Sequence, residues 1–251
     1  MTLTYLTLAN DVITRMNEVS LTSSNFTNAR GIQIQCKNAV NEAIRYINQR
    51  EFAYPFNHAN NSSTLVPGVP RYALPTDTKH VDYNTARIKK DSTLGSSGNS
   101  LSILSYNEYI SKDLVNKEDE IITTTLNGSH SATVETLTLT STTGFDASGT
   151  IYLGSEQVTY TAISGNDLTG CTRGANGTTA ALHADGVFVA QFDNGGVPRN
   201  IVRTPDNNYL LYPYPDKQYT LVFDYFTFPS DLAAHGDTTS IPDRFAPVIV
   251  D

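Results

Sequence analysis

Arg173, Asn176 and His183 are the side chains of this sequence that we single out as candidate surface contacts for a ligand. A guanidinium binds carboxylates and phosphates, an amide supplies donors and an acceptor, and an imidazole changes its charge near neutral pH. All three lie in one glycine-punctuated stretch, which is typical of surface turns. The alternative, which we favour for Arg173 and His183, is that they are turn and packing residues.

The sequence contains no motif of a catalytic or metal site. The five histidines lack the H-x-x-x-H or H-E-x-x-H spacing of zinc ligands, and there is no P-loop and no G-x-S-x-G turn. Cys36 and Cys171 lie far apart in the chain, which excludes a disulfide framework and predicts two buried thiols. We therefore expect no enzyme activity, no metal and no cofactor.

Acidic charge is concentrated in one segment of the chain. Residues 118–191 carry eight acidic side chains and a single basic one, whereas the rest of the sequence is nearly neutral although the whole chain has a net charge of −8. A step of this size indicates a domain boundary. Because the rest of the chain has no basic excess, we do not expect tight, base-reading contact with DNA.

Two amphipathic helices are predicted in the first fifty residues. The first has apolar residues at helical spacing between Ala9 and Met16, and a polar break at residues 22–24 offers an N-cap for a second, longer helix near 25–51. A short polar connection predicts an antiparallel helical hairpin over 6–51. The apolar stripe of the longer helix consists of Ile32, Cys36, Val40, Ile44 and Ile47.

The remainder of the sequence has residue patterns that are typical of strands and turns. Short β-like runs separated by Pro and Gly occupy 60–120 and 196–230, with one short helix at 105–115 that begins with the capping-box pair Ser105 and Glu108. Residues 121–191 read as a separate small all-β module, whose residues 164–167 are a candidate hairpin turn.

These patterns predict an α+β fold with an inserted domain. The N-terminal helical hairpin would pack with an antiparallel β-sheet domain in a discontinuous body formed by residues 1–120 and 192–251. The β module at 121–191 would be inserted in a loop of that body. No apolar run is long enough for a membrane-spanning helix, so we expect no membrane contact.

Four stretches, taken in order, resemble the head-to-tail adaptors of short-tailed phages, the family that includes tail tubular protein A. The helical hairpin is followed by the aromatic segment at 51–56, and residues 71–77 are similar to the family motif Y-x-L-P-x-D. Residues 101–109 match its strand-then-short-helix element. The longest match is 196–225, followed by Ile-Pro-Asp at 241–243.

The resemblance implies a structural protein of the virion tail at the head–tail junction, assembled in the host cytoplasm. Family members form dodecameric rings between the portal protein and the tail nozzle, a tail tubular protein B-like partner, and extend the channel through which DNA passes during genome ejection. A tail fibre is a further implied partner. The helix with the Ile32–Ile47 stripe would pack around the ring, and the portal-facing segment would contain Ile241, Pro242, Asp243 and Phe245.

The insert at 121–191 is similar to a small β module that recurs in virion proteins. Because its acidic charge would be repelled by copies of itself, we expect it to project outward from the ring. A second hypothesis is a tail-associated receptor- or glycan-binding protein that acts through this module. The tyrosines of the last third agree with either a sugar-binding groove or, as we favour, a subunit interface. A virion-bound hydrolase is the third hypothesis.

Overall fold

The structure is a computed structural model that describes residues 3–89, 98–112, 120–193 and 195–250. It combines helices with several mainly antiparallel sheets, so the predicted α+β class is confirmed. The described helices are α1 (Tyr5–Arg15), α2 (Ile32–Arg50), α3 (Tyr106–Ser111) and α4 (Ala246–Val250).

The strands are short and follow one another along most of the chain after residue 57. They are β1 (His58–Leu65), β2 (Arg71–Ala73), β3 (Thr78–Ile88), β4 (Asn99–Ser100), β5 (Ser102–Leu104), β6 (Ile122–Thr125), β7 (Thr136–Thr138), β8 (Gly149–Leu153), β9 (Glu156–Tyr160), β10 (Ala162–Ser164), β11 (Asp167–Thr169), β12 (Phe188–Gln191), β13 (Gly195–Gly196), β14 (Asn200–Arg203), β15 (Asn208–Tyr212), β16 (Tyr214–Pro215) and β17 (Tyr219–Thr227).

Within the described ranges these strands form three four-stranded sheets and two smaller ones. The strand orders are β1-β17-β3-β4, β2-β15-β14-β5 and β6-β12-β8-β9 in the larger sheets, and β10-β11-β7 and β13-β16 in the smaller ones. Adjacent strands pair antiparallel except for β14 with β5 and β13 with β16, which are parallel.

Contacts divide the chain into two compact units. The first consists of residues 1–60, 76–81 and 224–251 and the second of residues 61–75 and 82–223. We call them the helical unit and the β unit. The segment 121–191, which we expected as an insert, lies within the β unit. The chain passes between the two units after residues 60, 75, 81 and 223, and not at the expected boundaries of 120 and 192.

The helical unit has one hydrophobic core, built by α1, α2 and the C-terminal segment. Tyr5, Leu8 and Ile13 of α1 are buried against Val40 and Ile44 of α2, and α4 packs on both helices. The Oγ1 atom of Thr4 caps α1 by accepting a hydrogen bond from the Thr7 amide at 3.3 Å. This core joins residues from both ends of the sequence, so the helical unit is discontinuous in the chain.

Helix α2 begins at Ile32, several residues after the predicted start near 25. Residues Phe26–Asn28 form a single 3-10 turn, and Gly31, with a φ of 55°, precedes the helix. A positive φ costs glycine little and ends the preceding turn. The predicted N-cap at 22–24 is therefore wrong, because two further turns separate it from the helix.

The segment 121–191 builds a hydrophobic core from its own residues. The buried side chains come from β7, β8, β9, β11 and β12 and their flanks, with Leu137, Ile151, Val158 and Leu168 fully buried. The predicted hairpin turn is confirmed, because Ser164 pairs with Asp167 in the β10–β11 register and Gly165 adopts a φ of 62°. Cys171 is buried in this core, as predicted.

The sheet β2-β15-β14-β5 carries α3 on a second small core. Leu104, Tyr109, Val202 and Leu210 are buried together. The Oγ atom of Ser105 accepts a hydrogen bond from the Glu108 amide at 3.2 Å, which confirms this half of the predicted capping box. The helix ends at Ser111, and residues 113–115 of the predicted helix lie outside the described residues.

Candidate functional site

The helical unit carries an open, mostly apolar groove of about 770 Å³. One wall is the C-terminal half of α2, the second is the aromatic segment at 54–56, and the third is the C-terminal segment between residues 241 and 248. A concave and mostly apolar surface is the usual form of a docking site.

Large apolar side chains of the groove remain in contact with solvent. Tyr46 on α2 is 55% exposed and Val248 on α4 is 61% exposed, and Phe245 between the walls is exposed as well. Burial of apolar area yields about 25 cal/mol per Å². A contiguous exposed apolar surface of this kind is typical of a site that another molecule covers.

A buried polar network holds the walls of the groove together. The Asn48 side chain donates to the Ile44 carbonyl at 2.8 Å, and Asn57 Nδ2 donates to Asn48 Oδ1. Asn57 Oδ1 in turn accepts a hydrogen bond from Ser240 Oγ at 2.7 Å. Because Asn57 follows the aromatic wall and Ser240 precedes the C-terminal wall, one buried amide links α2 to both other walls.

Two arginines line the groove. The guanidinium carbon of Arg50 lies 4.6 Å from the centre of the Tyr46 ring, and its Nη2 atom also donates to the Tyr46 hydroxyl. The guanidinium carbon of Arg244 lies 4.8 Å from the centre of the Phe245 ring. A stacked guanidinium keeps its N–H edge free to bind a carboxylate. Among the described residues that line the groove, none is acidic.

The apolar stripe of α2, which was predicted to pack around a ring, is mostly buried in the core of the single chain. Cys36, Val40 and Ile44 are buried in the core of the helical unit, and Ile32 and Ile47 pack against the same core. Of the five, Ile47 also lines the groove. Contacts of α2 with a neighbouring molecule must therefore use its other faces, because these three buried side chains have no surface to offer.

The predicted portal-facing residues surround the groove in part. Ile241 is buried in the core of the helical unit and also touches the groove, whereas Pro242 and Phe245 line it directly. Asp243 is exposed at the start of the one-turn 3-10 helix Asp243–Phe245. Pro242 is the residue immediately before that turn.

Arg173 and His183 converge on a buried carboxylate that the motif search did not identify. The Nε and Nη2 atoms of Arg173 donate to the two oxygens of Glu156 at 2.8 Å, and His183 Nε2 lies 2.8 Å from Glu156 Oε2. The side chain of Arg173 is 6% exposed and that of His183 is 12% exposed, so neither group offers its polar atoms to the surface.

Four groups make five hydrogen bonds to the two oxygens of Glu156. Besides Arg173 and His183, the amides of Gly174 and Ala181 donate to its oxygens at 2.9 and 3.0 Å. Burial raises the pKa of Glu156, but these hydrogen bonds outweigh burial and lower the pKa to about 2. The carboxylate thus fastens the loop after β11 to the start of β9.

Asn176 occupies the exposed tip of the same loop. Its φ of 53° is left-handed, a conformation that asparagine tolerates better than most residues. Its Nδ2 atom donates to Gln157 Oε1 at 2.8 Å. Of the three candidate surface contacts, Asn176 alone is exposed. Its hydrogen bond to Gln157 attaches the turn to β9.

No protein-family model matches the sequence, and no curated protein matches it. In the parts of the chain that the structure describes, we find no group of three or more side chains arranged to hold a metal ion, and no helix long and apolar enough to cross a membrane.

Proposed function

We propose that this chain is a structural head-to-tail adaptor of a short-tailed phage virion. Copies of it would form a ring, a dodecamer by analogy with the family it resembles, between the portal protein and the tail nozzle. DNA would pass through the ring without sequence-specific binding. The protein would act by assembly rather than by catalysis, and a tail fibre is a further partner.

The observation that carries this proposal is the exposed apolar groove of the helical unit. Tyr46, Phe245 and Val248 remain exposed around an open groove. In a subunit that assembles, docking would remove this apolar surface from water. The segment that the resemblance assigns to the portal contributes Pro242 and Phe245 to the same groove.

The motifs that carry the resemblance fall on ordered elements, which supports the proposal. Tyr72 lies in β2, where it stacks on Tyr209 of β15 with ring centres 5.6 Å apart. The longest matching stretch, 196–225, spans β14 to β17. In the proposed arrangement a helical hairpin and a sheet domain form a discontinuous body, and residues 121–191 are a β module inserted in it.

Binding through the β module receives less support than binding through the groove. The side chains of Arg173 and His183 in its loop at 172–183 bind the buried Glu156 and are not exposed to solvent. The groove, in contrast, displays both apolar surface and guanidinium edges. We therefore place docking in the helical unit.

Electron microscopy of the purified protein, alone and mixed with its cognate portal, tests the proposal. We expect portals to gain a collar whose symmetry gives the copy number. Portals that remain undecorated by the wild-type protein at saturating concentration would contradict the adaptor function. Asn57→Ala, which removes the amide that links the groove walls, should reduce decoration, whereas the matched control Asn60→Ala, at an exposed position, should not.

A further inference from the structure

The helical unit exposes a second apolar feature, at the end of α2 opposite the groove. Val19, in the connection between α1 and α2, is 78% exposed, and Ile34 in the first turn of α2 is exposed as well. Glu18 precedes Val19 and is also exposed. We call Glu18, Val19 and Ile34 the tip patch.

The tip patch is held at the N-terminal end of α2. The Gln33 side chain donates from Nε2 to the Val19 carbonyl at 2.8 Å, and the Glu18 amide donates to the Ile13 carbonyl at 3.1 Å. These bonds give the connection a defined backbone. Val19 therefore presents its side chain from a fixed position rather than from a free loop.

Charge and polarity make the tip patch complementary to the groove. Two guanidiniums line the groove, and no carboxylate among the described residues pairs with Arg50 or Arg244. Glu18 is exposed, and among the ion pairs found between described residues none includes it. A carboxylate flanked by an exposed valine is the chemistry that an apolar groove edged by arginines recognises.

A chain cannot place its own tip patch in its own groove. Ile34 and Ile47 are thirteen residues apart on one helix, which corresponds to about 20 Å at 1.5 Å per residue. Gln33 keeps Val19 at the far end of that helix. The groove can receive a tip patch only from another molecule.

We propose that the groove of one copy binds the tip patch of a second copy. Glu18 of one copy would pair with the guanidinium edges of Arg50 and Arg244, while Val19 and Ile34 would cover Tyr46, Phe245 and Val248. Because the two complementary surfaces differ and lie at opposite ends of α2, the contact is head-to-tail. Such a contact builds a ring when its rotation closes and an open filament when it does not, whereas a two-fold contact stops at a dimer. This inference rests on the proposed ring-forming function and names the surfaces that form the ring.

Two single substitutions test the tip patch and the groove separately. Val19→Lys places a cation against the arginines of the groove, and Val248→Asp places a charge inside it. Both positions are exposed in the single chain, so both variants should fold, as circular dichroism can verify. Leu182→Lys is the matched control, since Leu182 is 70% exposed in the β unit.

Sedimentation velocity over a range of concentrations up to about 1 mM measures the outcome. We expect the wild type and Leu182→Lys to form species larger than dimers, and each of the other two variants to sediment as a monomer. An equimolar mixture of Val19→Lys and Val248→Asp should associate where neither variant does alone, because the groove of Val19→Lys and the tip patch of Val248→Asp are both intact. Glu18→Arg should weaken association at least tenfold.

Either of two results would overturn the inference. One is a wild type that stays monomeric throughout the concentration range, and the other is a Val19→Lys or Val248→Asp variant that assembles like the wild type. Portal decoration distinguishes this failure from failure of the proposed function. If Val19→Lys still forms collars on portals, the pairing is wrong but the adaptor function stands. If the wild type forms rings that never decorate portals, the pairing stands and the adaptor function fails.

Discussion

Arg173 and Glu156 form a two-bond ion pair in the interior of the β unit, with Nε and Nη2 each 2.8 Å from a separate carboxylate oxygen. The Glu156 side chain is completely buried. Planar guanidinium and carboxylate groups match best in this geometry. Because the pair joins β9 to Arg173, seventeen residues later in the chain, it fixes the loop at 172–183 on the sheet.

Removal of the charge of Glu156 should destabilise the β unit. In Glu156→Gln the buried Arg173 loses its counter-ion, which costs about 3 kcal/mol of unfolding free energy. Glu135→Gln is the control, because Glu135 is an exposed carboxylate of the same module and its substitution should change the free energy by less than about 0.5 kcal/mol. Urea denaturation followed by circular dichroism measures both, and equal effects would contradict the assigned role.

The stability of the β unit should fall in acid because of the same carboxylate. The pKa of Glu156 is lowered from 4.5 to about 2 in the folded chain. The stabilisation is therefore present above about pH 4.5 and is lost as the pH falls toward 2. It amounts to about 3 kcal/mol at 1.36 kcal/mol per pKa unit. Urea denaturation from pH 6 to pH 2 should show that the unfolding free energy of Glu156→Gln falls less with decreasing pH than that of the wild type. Equal decreases in the two proteins would contradict this role of Glu156.

Truncation of the buried stripe of α2 should act on the single chain. Ile44→Ala leaves a cavity in the core of the helical unit and should lower the unfolding free energy by about 2–4 kcal/mol. Ile34→Ala, on the same helix, removes an exposed side chain and should change it by less than about 0.5 kcal/mol. Thermal denaturation at concentrations below association compares the two. A small effect of Ile44→Ala would mean that the stripe serves contacts between copies instead.

The amide of Asn57 should be needed for the shape of the groove. Asn57→Ala removes the partner of buried Asn48 and of Ser240, at a cost of about 2 kcal/mol. Asn60→Ala is the control, since Asn60 is exposed and bonds Asp224 at 2.7 Å. Urea denaturation measures the cost, and hydrogen exchange of residues 241–248 measures the wall. If hydrogen exchange of residues 241–248 is unchanged in Asn57→Ala, the amide of Asn57 is not needed to hold the groove walls.

Both cysteine thiols should be inert in the folded protein. Burial raises the pKa of Cys36 in the helical unit and of Cys171 in the β unit, so the reactive thiolate is scarce at pH 7. We expect a colourimetric thiol reagent to modify neither cysteine until urea unfolds the chain, at which point both react. Rapid modification of one thiol before unfolding would identify a local opening of the unit that contains it.

Local patterns predicted the elements whose signals are contained in a few neighbouring residues. The Ser105 cap and the hairpin between Ser164 and Asp167 depend on interactions across two or three positions, and both are confirmed. The start of α2 was displaced because Phe26 packs against Tyr5 of α1 in a non-helical turn and because Gly31 takes a positive φ before the helix. Residue types at 22–24 carry no signal of that contact.

Long-range assembly of side chains decided the rest. Glu156 is one of 25 acidic residues, and its position two residues before Val158 in β9 was a local sign that the two side chains share one face of the strand. The pairing with Arg173 required two segments to meet across a sheet, and the groove required residues 43–56 to meet residues 241–248. The amino-acid sequence by itself determined the α+β class, the helical stripe, the buried thiols and the turns, because these follow from local periodicity and backbone preference. Tertiary structure alone decided which apolar and charged side chains are consumed inside the chain and which remain for a partner, because burial is a property of contacts between distant segments.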